Sequence, residues 1–493
     1  MKKTAYKAIV LSALLALGVS CKSYDFENTD DNLNNPSATV PSSLLTASQA
    51  KLVGTLSLVG TATPSLYVQH LSQTQYTEES RYQTINFNWN VVGSGTGQQG
   101  TTSAYNKPIL ALQTIIDANT TDPAKYVGFG STNNQLAVAR IMKAYYYQWM
   151  TDRWGMLPYT EALGGINKPN PKYDTQEFIY KDLFKEVDEA LAQMDAGAGP
   201  QGDIIFGGDM AKWKKFANTF KMNMAIRLAK VYPGASDYAA TKFKEAMAAG
   251  TITSAAENIM FPCISDDQYD NPYQDDYVDL GREDECLSDV LVNRMQALSD
   301  PRLPKFGAPA AATGTFVGLR YGWANAGSIP NTAVSFMNND LIKNSTKSLP
   351  MFTYAQVSFN KAEAVILGWI TGNAQTFYED GVKASMTQWG ISAADATTYL
   401  GRAGVAYNAG TAMNQIAEQK WLALFYQPYE AWAEWRRLDF PVLTPAVDAI
   451  NGSSIPVRHA YPSTEPSQNK ANYDAAVAAQ GADGLFTKLW WDK

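Results

Sequence analysis

Chemistry at neutral pH often needs a histidine, a metal or a pair of carboxylates. This chain of 493 residues has only two histidines, His70 and His459. A Ser-His-Asp arrangement would have to use one of them. His-rich metal sites are nearly excluded, and no HExxH, GxSxG or P-loop pattern occurs. Two carboxylate pairs stand out. Asp152 and Glu161 lie in "TDRWGMLPYTEA", where Gly155 and Pro158 predict a turn leaving a helix. Glu430 and Glu434 are four apart, so they share a helix face between Trp432 and Trp435. Paired carboxylates among aromatics are how glycosidases look, which defines an all-helical glycoside hydrolase as the enzyme alternative. Arg436 and Arg437 follow at once, and ion pairing accounts for these acids more simply. "GTGQQG" (residues 95–100) fits G-x-G-x-x-G. A dinucleotide site would then need alternating strands and helices, whereas the segments that follow are helix after helix. That stretch is expected to be a Gly-rich surface loop, and no cofactor or metal is expected.

The elements that must position any site are mostly helical. Ile179, Leu183, Val187, Leu191 and Met194 recur every three or four residues, behind a capping-box-like start at Asp174 and Glu177. Trp213, Phe216, Phe220, Met224 and Leu228 form a second stripe, ended by "YPG". Val138, Ile141, Tyr145 and Trp149 form a third; Met413, Ala417, Trp421, Leu424 and Phe425 form a fourth. Residues 354–370 and 374–390 predict a helical hairpin around Thr371-Gly372-Asn373, with small residues for close approach, repeat-like without a full repeat consensus. Strand signals are few and short, at 85–92 and 315–321. The polar stretches 264–285 and 307–348 are insertions on this frame, where binding residues concentrate.

Charge and aromatic content narrow the function. Net charge is −7, which does not suit a nucleic-acid backbone. The 12 Trp and 27 Tyr exceed what the stripes use, so some are expected to serve a ligand. Glycan sites need aromatic faces against the apolar face of a sugar, with amides or carboxylates for its hydroxyls, and no histidine. Candidates outside the stripes are Tyr76, Tyr82 and Trp89 in "TQYTEESRYQTINFNWN", and Arg320, Tyr321, Trp323 and Asn325 in "LRYGWANAG".

Several phrases occur together in order: "ARIMKAYYYQWMTDRWGMLPYTEAL", "WKKFANTFKMNMAIRLA", "SDPRLPKF", "AEAVILG", "QKWLALFYQPYEAWAEWRRLDFPVL", "SIPVRHAYPSTEPSQN" and "KLWW". This ordered set resembles the SusD/RagB family, in its branch of SusD-like outer-membrane lipoproteins of Bacteroidetes. The resemblance implies a mostly α fold, a single SusD-like domain with four tetratricopeptide-like helix pairs as scaffold, plus loop-rich insertions. It implies a non-catalytic nutrient-binding protein that takes oligosaccharide, in some members peptide. It also implies a SusC-like TonB-dependent outer-membrane transporter as partner, over whose barrel the protein acts as a lid. A structural surface lipoprotein without a transporter is the third class.

The first residues bear on location. Lys2, Lys3 and Lys7 precede an apolar run of 11 residues, 9–19. That is short of the roughly 20 needed to span a bilayer and has the plan of a signal peptide. "LGVSC" resembles a loose bacterial lipobox. The expectation is a signal peptide over 1–20, lipidation at Cys21, a tether over 21–41 and the nutrient-binding domain over 42–493. The acids Asp25, Glu27, Asp30 and Asp31 are similar to the family's surface-export signal, which implies that the protein faces the cell exterior. Cys263 and Cys286 bracket a stretch holding nine acidic residues. A disulfide between them is one possibility and two free thiols the other. Calcium is conceivable for so many oxygens, but no EF-hand spacing is present, and a solvated loop is the simpler expectation.

Overall fold

The fourfold stripe pattern folds as helix pairs. The computed structural model describes residues 40–57, 62–91 and 102–493. Thr132–Trp154 packs on Gln176–Gln193, Met210–Arg227 on Tyr238–Ala249, Tyr354–Ile366 on Ala374–Gln388, and Ala412–Ala423 on Pro428–Leu438. Each pair also touches the next, so residues from all four enter one continuous core. Trp213, Phe216 and Phe220 from one stripe meet Tyr145 of another across Phe352. Pairs of this kind need a shared neighbour to bury their apolar faces, which is why they stack in series.

Local signals fix the helix ends. Thr175 caps the second helix by accepting from the Phe178 N–H at 3.2 Å. This corrects the expected cap at Asp174, whose carboxylate instead accepts from the Thr160 N–H and hydroxyl. Asn373 caps Ala374–Gln388, and Thr353 with Gln356 forms a full capping box before Tyr354. The expected hairpin is present. Gly381 lies against the ring of Phe359, where a Cβ would sit 2.6 Å from ring atoms. Pro41 opens the helix Pro41–Ala50.

Strands are short and paired two by two. Leu71–Gln73 runs antiparallel to Glu285–Leu287, with Gln73 opposite Glu285. Ile259–Phe261 pairs with Leu349–Phe352. Of the two stretches expected to be strands, 315–321 contributes one bridge, Leu319 to Ser288, and 85–92 a bridge at Asn86 and the two-residue strand Asn90–Val91. The glycine-rich segment 95–100, the leader and Cys21 lie outside the described residues.

Beneath the loops is a buried ion network. Glu363 and Glu434 each bond both Lys420 and Arg437, and Arg227 joins Asp152, Glu430 and Glu434. Burial disfavours the carboxylate form of Glu434, but Arg437, Lys420 and Arg227 outweigh it and hold its carboxyl well below the usual range. Of the pairing expected with Arg436 and Arg437, Glu434 makes one, to Arg437, whereas Glu430 pairs with Arg227. Arg436, however, bonds backbone oxygens of Asp152 and Val457 instead.

Candidate functional site

Four loops meet at one surface. The strand Leu71–Gln73 continues into Thr74, whose N–H bonds Asp284 O at 2.8 Å and whose hydroxyl bonds Glu283 O at 2.8 Å. The Ser72 hydroxyl bonds Arg320 O at 3.2 Å. Asp448 ties the remaining loops together. Its N–H bonds Gly322 O, its backbone oxygen accepts from Arg81 Nε, and its carboxylate accepts from the Ala324 N–H, all within 3.1 Å. Gly322 has φ +63°, and a Cβ there would meet the Ala446 Cβ at 2.3 Å, so only glycine fits.

On this surface Tyr76 stands out, 65 % exposed and held with φ +50°. The guanidinium of Arg282 lies 5.7 Å from its ring centroid. Arg282 is in turn paired with Asp284 at 2.5 Å. Trp323 is half-buried on a small cluster of Cys286, Leu319, Ala326 and Val334. Arg320 and Asn325 are exposed beside it. Val447 and Ile450, on either side of the Asp448 junction, add exposed apolar area. Planar rings, aliphatic groups and polar ends together can take a sugar's apolar face and its hydroxyls at once. A cleft of about 440 Å³ adjoins the same 440–451 loop, lined by Val290, Arg294, Trp421 and Val442.

The seven sequence candidates separate. Arg320, Trp323 and Asn325 share one loop, and the chain leading to Tyr76 is joined to it where the Ser72 hydroxyl bonds Arg320 O. Tyr82 and Tyr321 are corrections: both are buried in the core and offer no face to a ligand. The Tyr82 hydroxyl accepts from the Ala446 N–H, and its ring meets Tyr67 edge-on. Trp89 is half-buried in a separate aromatic cluster with Trp154, Tyr461 and Tyr105, and its indole N–H donates to Glu465. None of the described contacts joins it to the Trp323 loop. Sequence reasoning missed Arg282 and Asp448. Arg282 carried a signal, as the lone cation among nine acids; Asp448 carried none.

The acidic stretch is a solvated loop only in part: 265–268 and 278–283 are exposed, and the rest is packed. Asp270, Asn271, Tyr273, Asp275, Tyr277 and Asp284 are buried. Asn271 Nδ2 bonds Leu341 O and Tyr426 Oη, and the Tyr277 hydroxyl bonds Glu285 O. Burial, then Glu79 and the neighbouring aspartates, pushes the Glu285 carboxyl up to about 8. Burial also pushes Glu79 up to about 6. Among the described residues no three of His, Cys, Asp or Glu are grouped to hold a metal. Cys263 and Cys286 are free thiols in different apolar clusters, which overturns the disulfide possibility.

The catalytic alternatives dissolve at this scale. His70 and His459 are fully buried. Burial holds His70 down to about 3, and burial with Arg153, Arg436 and Arg458 holds His459 far below its usual value. Asp152 is enclosed by Arg227, Tyr180 and Trp491, and Glu161 pairs with Lys168 at the surface.

Comparison with known proteins agrees with this architecture. Residues 33–462 match the SusD-like family described as "Starch-binding associating with outer membrane". The chain belongs to that family, whose members are non-catalytic carbohydrate-binding proteins. A solved structure described as a chitin-binding protein is 27 % identical with a TM-score of 0.76, covering 92 % of this chain and 99 % of its own. A Bacteroidetes SusD-like protein, AC2a, is 25 % identical with a TM-score of 0.78, covering 92 % and 100 %. A chitin-binding SusD homologue from Flavobacterium johnsoniae, 22 % identical with a TM-score of 0.75 over 92 % and 98 %, shares the fold. No curated protein matches.

Proposed function

We propose that this chain binds oligosaccharide at the Tyr76–Trp323 surface and passes it to a SusC-like TonB-dependent transporter, over which it closes as a lid. The carrying observation is the exposed Tyr76 ring, backed by Arg282 and set in one loop junction with Trp323, Arg320 and Asn325. Starch, named for the family, and chitin, named for the 27 %-identical structure, are both polymers of pyranose rings. Either presents the flat CH-rich faces that such a surface takes. The outer membrane is the location the family description supports. Lipidation at Cys21 and an outward face complete the proposal, on the leader and the acids after it.

The test is titration of the chain with malto- and chito-oligosaccharides beside a Trp323→Ala, Asn325→Ala double variant. Binding by the parent and loss of it in the variant is expected; equal affinity in both overturns this site. Co-purification of a large β-barrel transporter from native membranes tests the lid role separately.

A further inference from the structure

The guanidinium of Arg153 is buried without an anion. The residue is 3 % exposed and lies between the rings of Trp149 and Trp154, 4.3 and 4.1 Å from their centroids. Its Nε donates to Nδ1 of His459 at 3.1 Å, a neutral imidazole. No carboxylate among the described residues lies within ion-pair distance, and Nη1 has no hydrogen-bond partner. A buried unpaired charge costs several kcal/mol, roughly, so its compensation must come from elsewhere. Burial pushes this guanidinium down to about 10, against the opposing effect of Tyr429 and Tyr67.

Two further orphans border the same space. Trp149, 6 % exposed, leaves its indole N–H unpartnered, and Gln427, 5 % exposed, leaves Oε1 unpartnered. All three residues line one cavity of about 40 Å³. At roughly 10–15 Å³ for each water-sized occupant, that is room for about three or four, far too little for a sugar ring.

The neighbouring carboxylates supply no partner for it. Asp152, Glu363, Glu430 and Glu434 pair with Arg227, Lys420 and Arg437. The two carboxylates that also line the cavity are engaged elsewhere. Asp152 accepts from Tyr180, Trp491, Arg227 and Gln148, and Glu430 Oε1 accepts from Arg227 and Asn223. We propose that this cavity is a binding site for one small monovalent anion of halide size, such as chloride, held by Nη1 of Arg153 and Nε1 of Trp149, with water on Gln427 Oε1. The anion neutralises the guanidinium at the junction of the first and fourth helix pairs and so contributes to folding stability.

The experiment is a thermal melt of the full chain at constant total salt, with chloride replacing gluconate, for the parent, Arg153→Met and Trp149→Phe. Linkage requires the parent Tm to climb with the logarithm of chloride once the site fills. Arg153→Met should lose that climb, and Trp149→Phe should shift it to several-fold higher chloride. Crystals grown in sodium bromide should show an anomalous peak in the cavity, a readout that holds even if Arg153→Met does not fold. A parent Tm equal in chloride and gluconate, or a cavity free of bromide, overturns the proposal and leaves water as the occupant.

Discussion

Arg282 covers one side of Tyr76, its guanidinium 5.7 Å from the ring centroid and anchored by the Asp284 carboxylate. The cation does two things. It stiffens a ring that would otherwise swing freely at 65 % exposure, and it leaves the opposite face open. Tyr76→Ala should therefore weaken oligosaccharide binding by about 1 kcal/mol, roughly fivefold. Asp284→Asn should give a smaller loss, because it frees Arg282 without removing the ring. Calorimetric titration with the tightest-binding oligomer measures both, and a Tyr76→Ala protein that binds as the parent does would remove this ring from the site.

Gly322 decides whether the loops meet at all. Its φ of +63° and its contact with Ala446 leave no room for a side chain. Gly322→Ala should cost about 1–3 kcal/mol in stability and weaken glycan binding, since Trp323 is the next residue. Urea unfolding and titration on one preparation read both effects. A variant with the parent's midpoint would mean that the loop yields at no cost.

The helix pairs were legible because burial repeats with the helix period: Trp213, Phe216, Phe220 and Met224 all point one way, and the core takes all four. The site was legible only in part. Tyr76, Tyr82 and Tyr321 look alike in sequence, and their different fates depend on distant chain. Tyr82 is buried because the Ala446 N–H reaches its hydroxyl across 364 residues. Glu430 finds Arg227 across 203 residues. Neither partnership leaves a local spacing to detect, whereas the Arg437–Glu434 pair, three apart on one helix, does.

That same ion network should be unforgiving. Glu363 and Glu434 are almost fully buried and neutralise Lys420 and Arg437. Glu434→Gln keeps the shape but strands cationic charge, so a loss of about 3–5 kcal/mol is expected. Pairing it with Lys420→Met should recover part of that loss. A double variant no better than Glu434→Gln alone would mean that the charge balance is not what the network supplies.

Attachment and orientation separate experimentally. Cys21→Ala should move the protein from the membrane to the soluble fraction, because one acylatable residue carries the proposed anchor. Replacing Asp25, Glu27, Asp30 and Asp31 with Asn or Gln should leave it membrane-bound but protected from protease added to intact cells. Soluble protein in the parent, or unchanged shaving in the second variant, would contradict the respective half.

Stability should peak in mildly acidic solution, and Glu285 sets the alkaline side. Its folded carboxyl sits at about 8 against an ordinary value of 4.5. Between those values the folded chain keeps a proton that the unfolded chain has released. Stability therefore falls as pH rises from about 4.5 to about 8, by up to about 1.4 kcal/mol per pH unit for one proton. Glu79, at about 6, adds to the lower part of that decline. The histidines act in the opposite sense. His70 and His459 stay neutral when folded but take protons when unfolded, so stability is lost as pH falls below about 6.5. Glu285→Gln removes the largest alkaline contribution and leaves the acid limb untouched. Its Tm should exceed the parent's by a margin that grows from pH 5 to 8 and is constant above that. Parallel melting curves for the two proteins from pH 5 to 9 would mean that Glu285 is ionised in the folded state and that the carboxylates around Arg282 do not share this burden.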